Sequence, residues 1–377
     1  MMTRLKDIAE HVGVSIKTVS NVVNGNHARV GPETRRQVLE AVESLNYRPN
    51  SAARHLRNGR VGIIALAIPD LANPYYADLG NAVVAAAAAR GYTVLLDHTR
   101  FDRASEYQVI GGLRPHTIDG VILDPQALET DDLRAPQGRI PVVLVGENLL
   151  DAPYDHVVTD NVAAARVATS HLLALGRRRI AALGVDERKT VGAAYLRAHG
   201  YAAALAEAGR PVDPRLLVSG YHWRREGGAE AMRALLALDD PPDAVFCFND
   251  LLALGAMSTL YEAGCCIPDD VAVVGYDDID DGHFARPSLT SIAPDKGEIG
   301  RLAVALLMGR IDGTRTGPPE RIEAPFQLRA RGSTLGLRAR KHPRSGRSGR
   351  CCLSGPSGKS LSGAFAVWAG TTTGFYA

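Results

Sequence analysis

Between Leu5 and Val12 the apolar residues Leu5, Ile8, Ala9 and Val12 recur at the three- and four-residue steps of one helical face. Gly13 can adopt the positive φ that ends such a helix in a sharp turn. Ser15 can cap a second helix. There Val19, Val22 and Val23 share one face, while Ile16, Lys17, Ser20, Asn21 and Asn24 share the other. A helix-turn-helix needs this division, because one face packs inside and the other lies in a major groove. Gly31, Pro32 and Glu33 open a third helix, with proline at its first position. Val38, Leu39, Val42 and Leu45 are its expected buried stripe.

From Val61 the period changes. Residues 61–68 form a continuous apolar run, as expected of a parallel strand buried on both faces. Further strands are predicted at Tyr92–Leu96, Gly120–Leu123, Pro141–Val145, Arg179–Leu183, Ala244–Phe248 and Val271–Gly275. Helical stretches alternate with them near Tyr76–Arg90, Ala163–Leu175, Leu196–Ala208, Glu226–Leu238 and Leu251–Ala263. Alternating β and α segments imply parallel sheets covered by helices. Two such series, the second starting near residue 160, imply two lobes with a cleft between them. The expected fold class is α/β: an all-α N-terminal helix-turn-helix domain followed by a two-lobed α/β domain.

The stretches Leu5–Ala9, Gly13–Ser15, Thr18–Ser20, Val23–Gly25, Glu33–Arg35 and Leu45–Asn50 closely resemble the lactose-repressor/galactose-repressor (LacI/GalR) family of bacterial transcription regulators. The likeness extends to about Thr334. It implies a DNA-binding domain over 1–49, a hinge helix over 50–60 and a periplasmic-binding-protein-like effector-binding and dimerisation domain over 61–337. In such bodies the chain crosses between lobes three times, here expected near 160, 291 and 322. Lobe 1 would then be 61–159 and 292–321, and lobe 2 would be 160–291 and 322–337. The resemblance implies double-stranded operator DNA, a small sugar-like effector and a homodimer as partners. The DNA contacts expected from it are Leu5, Ser15, Ile16, Lys17, Thr18, Ser20, Asn21, Asn24 and Arg29, with Asn50, Ala53, Arg54 and Leu56 in the hinge. Leu56 matches the family's leucine wedge, which opens a central base step in the minor groove. Its other reading is a leucine in a basic linker, packed on the body.

Ligands in open α/β sheets sit beyond the carboxyl ends of strands. Three segments qualify: Pro69–Tyr76, which matches a family signature almost letter for letter, Phe248–Asp250 and Gly275–Asp278. A polyol needs planar amide and carboxylate groups for paired hydrogen bonds and an aromatic face for its C–H side. Asn249 and Asp277 supply the polar groups, and Asn73, Tyr75 and Tyr76 belong to the first segment. Arg197 stands where family members place an effector-binding arginine, and Trp223 where they place a ring-stacking aromatic. Structural readings stand beside these: an internal salt bridge for Arg197 and Asp277, a helix cap for Asn249, ordinary packing for Trp223. Asp250 and Asp278 read as caps or surface charges. After the strand ending at Val145 the family commonly has an acidic residue; here Gly146 stands there, followed by Glu147.

Charge sharpens the picture. The chain of 377 residues carries a net charge of only +2. Basic residues nevertheless outnumber acidic ones in residues 1–60, and no acid occurs after Glu323, so the body between is acidic. A positive head on a negative body suits a protein that meets phosphate at one end. Residues 338–377 are basic, without acids or periodicity, and read as a disordered tail. Two origins fit that tail: a frame-shifted or read-through gene end, or a basic arm that adds nonspecific DNA affinity. It lacks leucine heptads, so a dimer is the expected assembly.

The start has no apolar signal-peptide core, and no stretch is long enough to span a bilayer, so a cytoplasmic location is expected. The five cysteines have no zinc-like spacing, and neither metal nor cofactor is expected. No phosphate loop, GxGxxG turn or Ser/His/Asp set argues for an enzyme. The rival class is a sugar-binding transport receptor. The body alone permits it, but the head argues against it.

Overall fold

The computed structural model describes residues 5–23, 30–45, 47, 60–111, 117–133, 140–186, 191–219 and 223–336. By its contacts the chain divides into two units, Met1–Arg338 and Ala339–Ala377. The second unit lies outside the described residues, as do the expected hinge contacts Asn50, Ala53, Arg54 and Leu56 and the head residues Asn24 and Arg29.

The head is three helices, α1 (Leu5–Val12), α2 (Ile16–Val23) and α3 (Pro32–Ser44). Gly13 takes φ 71° between the first two. Ser15 Oγ accepts the Thr18 backbone N–H at 3.1 Å and pairs with the Thr18 hydroxyl at 2.8 Å, which caps α2. Ile8, Ala9, Val19, Val22, Val38 and Ala41 form the core, with Leu5, Val23, Val42 and Leu45 packed against it. Leu39 was expected in that stripe but is exposed; Ala41, three residues after Val38, takes the inward position.

The body holds two six-stranded sheets. The first contains β1 (Ile63–Ile68), β2 (Thr93–His98), β3 (Gly120–Leu123), β4 (Val142–Val145), β5 (Asp155–Thr159) and β11 (Arg321–Ala324), in the order β11-β5-β4-β3-β1-β2 and parallel throughout. The second contains β6 (Ile180–Leu183), β7 (Leu217–Val218), β8 (Ala244–Cys247), β9 (Ala272–Tyr276), β10 (Thr290–Pro294) and β12 (Phe326–Arg329). Its order is β12-β10-β9-β8-β6-β7, with β12 antiparallel. Helices α4 (Pro74–Ala88), α5 (Arg103–Ile110) and α11 (Lys296–Asp312) flank the first sheet. Helices α6 (Asn161–Ala174), α7 (Ala193–Glu207), α8 (Arg225–Leu236) and α9 (Asp250–Glu262) flank the second, and the short α10 (Asp280–Phe284) follows β9. Each sheet is thus sandwiched between two apolar layers, as the continuous apolar strands require.

The chain passes between sheets at Asp160, Asp295 and Pro325. The second and third passages come slightly later than the expected 291 and 322, because Thr290–Pro294 still pairs with β9 and β12, and Arg321–Ala324 still pairs with β5. Asp160 and Asp295 cap the helices that follow, at 2.9 Å each. Asp295 N–H also bonds Pro325 O at 2.9 Å, which ties two passages together.

Helix packing in the second lobe depends on glycines. A Cβ on Gly228 of α8 would collide with the Leu252 backbone, and one on Gly255 of α9 with the Arg225 backbone. Gly228→Ala should therefore cost about 1–3 kcal/mol through overpacking, read as a lowered Tm. Gly317→Ala, with open space around it, should stay within about 0.5 kcal/mol of the parent. Equal Tm for both variants would show that the α8–α9 contact is looser than described.

Candidate functional site

On the head, α2 turns Ile16 and Lys17 fully outward, while Thr18, Ser20 and Asn21 are half-buried along its flank. Ile16 keeps 49% of its surface exposed, unusual for an isoleucine in so small a domain. The side chains expected to read bases thus lie on or beside the free face of one helix.

In the body, the carboxyl ends of β1, β3 and β4 face those of β8 and β9. From the first sheet comes the loop after β1. Asp70 accepts the Ala72 N–H at 2.9 Å, and Asn73 caps α4 by accepting the Tyr75 N–H at 3.1 Å. That cap starts the helix so that Tyr75 and Tyr76 enter the cleft edge to face, with centroids 5.2 Å apart. Both phenols are pushed well above their usual pKa, first by burial and then by nearby carboxylates, Asp277 of the opposite lobe among them.

The second sheet supplies the cation. The Arg197 guanidinium lies 3.4 Å from the centre of the Tyr276 ring and 5.3 Å from that of Trp223. Its Nε donates to Asn161 Oδ1 at 2.6 Å and its Nη1 to Phe248 O. Trp223 holds a left-handed φ of 50° and donates from Nε1 to Gly184 O at 3.1 Å. Asn249 spends both ends of its amide on the protein: Oδ1 accepts the Leu252 N–H at 2.8 Å, and Nδ2 donates to Trp223 O at 2.9 Å. It caps α9 and holds Trp223, as the structural reading had it.

Asp277 is buried and takes φ 109°, and Asp278 follows at φ 52°. Two consecutive left-handed non-glycine residues are strained. The Lys296 ammonium holds them, donating to Asp277 O at 2.7 Å and Asp278 O at 3.1 Å. Burial pushes the Asp277 carboxyl up to about 7, against the pull of Arg197 and Lys296. Asp250, expected as a cap or surface charge, is instead fully buried. It accepts the Ile279 N–H at 2.9 Å and the Ser291 hydroxyl at 2.7 Å beneath this turn. Asp278 faces away to Arg331 at 2.7 Å and His283 at 3.2 Å.

Two side chains that the sequence did not single out as contacts complete the cleft. Asp124 follows β3 and Glu147 follows β4; both are buried. Asp124 is pushed up to about 8 by burial, although Gln126 Nε2 donates to it at 2.6 Å. Glu147 is also raised by burial, while the Thr159 N–H at 2.9 Å, Arg197 and Asn161 favour its charged form. Glu147 was noted only as the neighbour of an unexpected glycine. That glycine is the signal: Gly146 sits at φ 84°, and a Cβ there would lie 2.9 Å from Asp124 Oδ1. His156 Nε2 reaches Gly146 O at 2.5 Å, and burial lowers this histidine to about 4, so the ring is neutral and donates.

The lobes touch through the ion pair of Arg224 with Asp70 at 2.8 Å and through Lys296 of α11, which reaches the Asp277 and Asp278 carbonyls of the second lobe while pairing at 3.1 Å with Asp78 of α4 in its own lobe. Among the described residues, no three His, Cys, Asp or Glu side chains gather to hold a metal ion, and no helix is long and apolar enough to cross a membrane.

Comparison with known proteins agrees with this two-part design. Residues 4–50 match the family model for bacterial regulatory proteins of the lacI family. Residues 61–331 match that for periplasmic binding proteins and the sugar-binding domain of the LacI family. The transcriptional repressor PurR of Mannheimia succiniciproducens is 33% identical over 82% of this chain and 92% of its own length. The repressor CytR of Escherichia coli is 32% identical over 88% of this chain and 96% of its own. Among solved structures, the CelR–cellobiose complex is 33% identical, with TM-score 0.65 over 88% of this chain and 99% of the other. The lac repressor dimer bound to operator and the anti-inducer ONPF is 27% identical, with TM-score 0.69 over 89% and 100%. A helix-turn-helix head, a two-lobed body and likeness to repressors over more than four fifths of the sequence coincide in one chain, which belongs to the LacI family of bacterial regulatory proteins.

Proposed function

We propose that the chain is a sequence-specific, homodimeric transcriptional repressor whose grip on operator DNA is set by a small polyol held between the lobes. It works in the cytoplasm and catalyses no reaction. The observation that carries this reading is the interlobe cleft, where Arg197 and Asp277 stand buried with aromatic rings around them, in a chain that begins with a helix-turn-helix. The repressor relatives and the cellobiose-bound and operator-bound neighbours support it.

In this mechanism Ile16, Lys17 and Asn21 meet base edges, with Ser15, Thr18 and Ser20 beside them. The hinge segment with Leu56 opens the central step. A ligand switches such a protein only by binding its DNA-competent and DNA-incompetent states unequally. Because the cleft is lined from both lobes, a ligand there favours one lobe closure over another. Arg197 and Asp277 anchor it, Trp223, Tyr75 and Tyr76 cover its rings, and Asn73 and Asn249 position these side chains.

The homodimer has its own support. β2 is an edge strand carrying Leu95 and Leu96 at 40% and 55% exposure, and Val84 of α4 and Phe101 are exposed close by in the chain. A hydrophobic sheet edge left open invites pairing, and a second copy covers it. Leu96→Glu is expected to shift the chain from dimer to monomer in sedimentation and to weaken operator binding, since a two-fold operator rewards only paired heads. A dimer that survives this charge would place the interface elsewhere.

Asparagine prefers adenine and arginine guanine, by about 1–3 kcal/mol per good bidentate contact. Asn21→Arg should therefore change one base position in each half-site in a binding-site selection; an unchanged site would remove Asn21 from base reading. Asp277→Ala should abolish the response of operator binding to effector while leaving DNA affinity intact, because the carboxylate lies in the body. A gel-shift titration in which this variant still responds at parental effector concentrations would make Asp277 purely structural.

A further inference from the structure

Asp124 and Glu147 come from adjacent strands. β3 and β4 pair in parallel with Leu123 opposite Leu144, so the two carboxylates leave the sheet at the same end. Asp124 is lodged against the bare backbone of Gly146, where its Oδ1 would lie 2.9 Å from any Cβ. The groups that act most strongly on it are the donors Gln126 and Tyr76 and two further carboxylates, Glu147 and Glu106. Glu106 is itself committed to the backbone N–H groups of Gln126, Ala127 and Leu128 at 2.9–3.0 Å.

Among the described residues, the cations of the cleft are engaged elsewhere. Arg224 faces Asp70, and Lys296 holds Asp78 and two carbonyls. Arg197 binds Asn161 and Phe248 and is the one guanidinium that also favours the charged forms of Glu147 and Asp277. Among the described residues, closing the lobes therefore buries more negative charge than positive. Neighbouring buried carboxylates cannot all stay ionised: a proton must enter, or a cation must. A second, independent feature marks a missing partner in the same space. The Tyr276 hydroxyl is buried and makes no hydrogen bond of ordinary geometry: Arg197, lying over its ring, is the donor that acts on it, and the charges of Glu147 and Asp277 reach it.

Building on the effector cleft proposed above, we infer that its first-lobe end takes a protonated amine, so that the effector is an amino sugar or a similar amine-bearing polyol. The ammonium meets Asp124 and Glu147, the ring hydroxyls meet Arg197, Asp277 and Tyr276, and the aromatic side chains cover the ring. A sugar phosphate would add negative charge to three carboxylates. With a neutral sugar a proton on Asp124 must take the place of that cation.

Titration calorimetry of the full chain near neutral pH tests this with matched pairs: glucosamine, galactosamine and mannosamine against glucose, galactose and mannose, with the N-acetyl forms as uncharged size controls. At least one amine should bind roughly tenfold or more tightly than its parent, the step that one charge-assisted contact supplies. N-acetylation should remove the gain. Asp124→Asn and, independently, Glu147→Gln should each collapse the ratio between that amine and its parent. A parent sugar that binds as tightly as its amine, a ratio unchanged in both variants, or no binding by any amine would overturn the inference. Operator gel shifts with the same compounds keep the two readings apart. A neutral sugar that binds and shifts operator affinity overturns the amine inference alone. An amine that binds tightly without shifting it supports the amine inference and overturns the effector reading.

Discussion

The Lys296 ammonium is the interaction on which the geometry of the cleft depends. Its three hydrogens are fully used, one on the Asp78 carboxylate of the first lobe and two on the carbonyls of Asp277 and Asp278 in the second. Hydrogen bonds to a charged group contribute about 1.5–3 kcal/mol each. That is the scale needed to hold two successive left-handed residues at about 1–3 kcal/mol each. The two arms are not equal. The carbonyl bonds are sheltered, whereas Asp78 is 45% exposed, so water competes for that ion pair and weakens it. Asp78 lies on α4, beside α11 in the first lobe, so the arm that joins the lobes is the sheltered pair of carbonyl bonds, and the ammonium that shapes the Asp277 turn also ties that turn to the first lobe.

Close backbone approach sets the reach of the other anchor. A Cβ on Gly200 of α7 would collide with Val162 O of α6. Because glycine stands there, the two helices press together, and Arg197, one turn earlier on α7, reaches Asn161 at the start of α6 and Phe248 at the end of β8. Tyr276 then stacks beneath the guanidinium. The arginine is thus oriented by an amide, a carbonyl and a ring before any ligand arrives. Such preorganisation reduces the ordering cost of binding. Asn249 does the same for Trp223, which explains how a residue can line a binding cleft while both of its amide ends serve the protein.

What the sequence made legible was whatever a single segment carries. The helix-turn-helix follows from apolar spacing and Gly13, and the strands β1, β3, β4, β6, β8 and β9 from unbroken apolar runs. β5 escaped because it begins Asp155-His156, a polar pair that reads as a loop. Only the fold shows that Asp155 is buried against Arg310 at 2.6 Å and the Glu320 N–H at 2.9 Å, and that His156 reaches Gly146. Asp124 escaped for a similar reason. A carboxylate after a strand looks like a loop residue until the neighbouring strand places Gly146 beside it. Asp250 looked like a helix-start acid, yet the β9 turn folds over it and makes it interior. These three misses each concern a polar side chain whose partner is far away in sequence, which local periodicity cannot report.

The helix that Lys296 opens also has a second end. α11 runs 17 residues, about 25 Å at 1.5 Å per residue, and packs on the first sheet beside α4. At its far end Ile311 O accepts a hydrogen bond from Arg60 Nη2 at 2.7 Å, and the Asp312 carboxylate pairs with the same guanidinium. Arg60 is the last residue of the expected hinge segment 50–60 and the one of them described, and Val61 beyond it is held by Asp119 at 2.9 Å. One rigid element therefore joins the ammonium that spans the cleft to the point where the chain enters the body. Buried apolar packing holds the helix along its length, so it shifts as a unit rather than bending. Spatial continuity alone is not coupling; coupling requires an element with two arrangements that both sites bias. At one end of α11 the contacts that depend on how the lobes stand are the Lys296 bonds to the Asp277 and Asp278 carbonyls, and at the other end the Arg60 clamp fixes the chain where it enters the body.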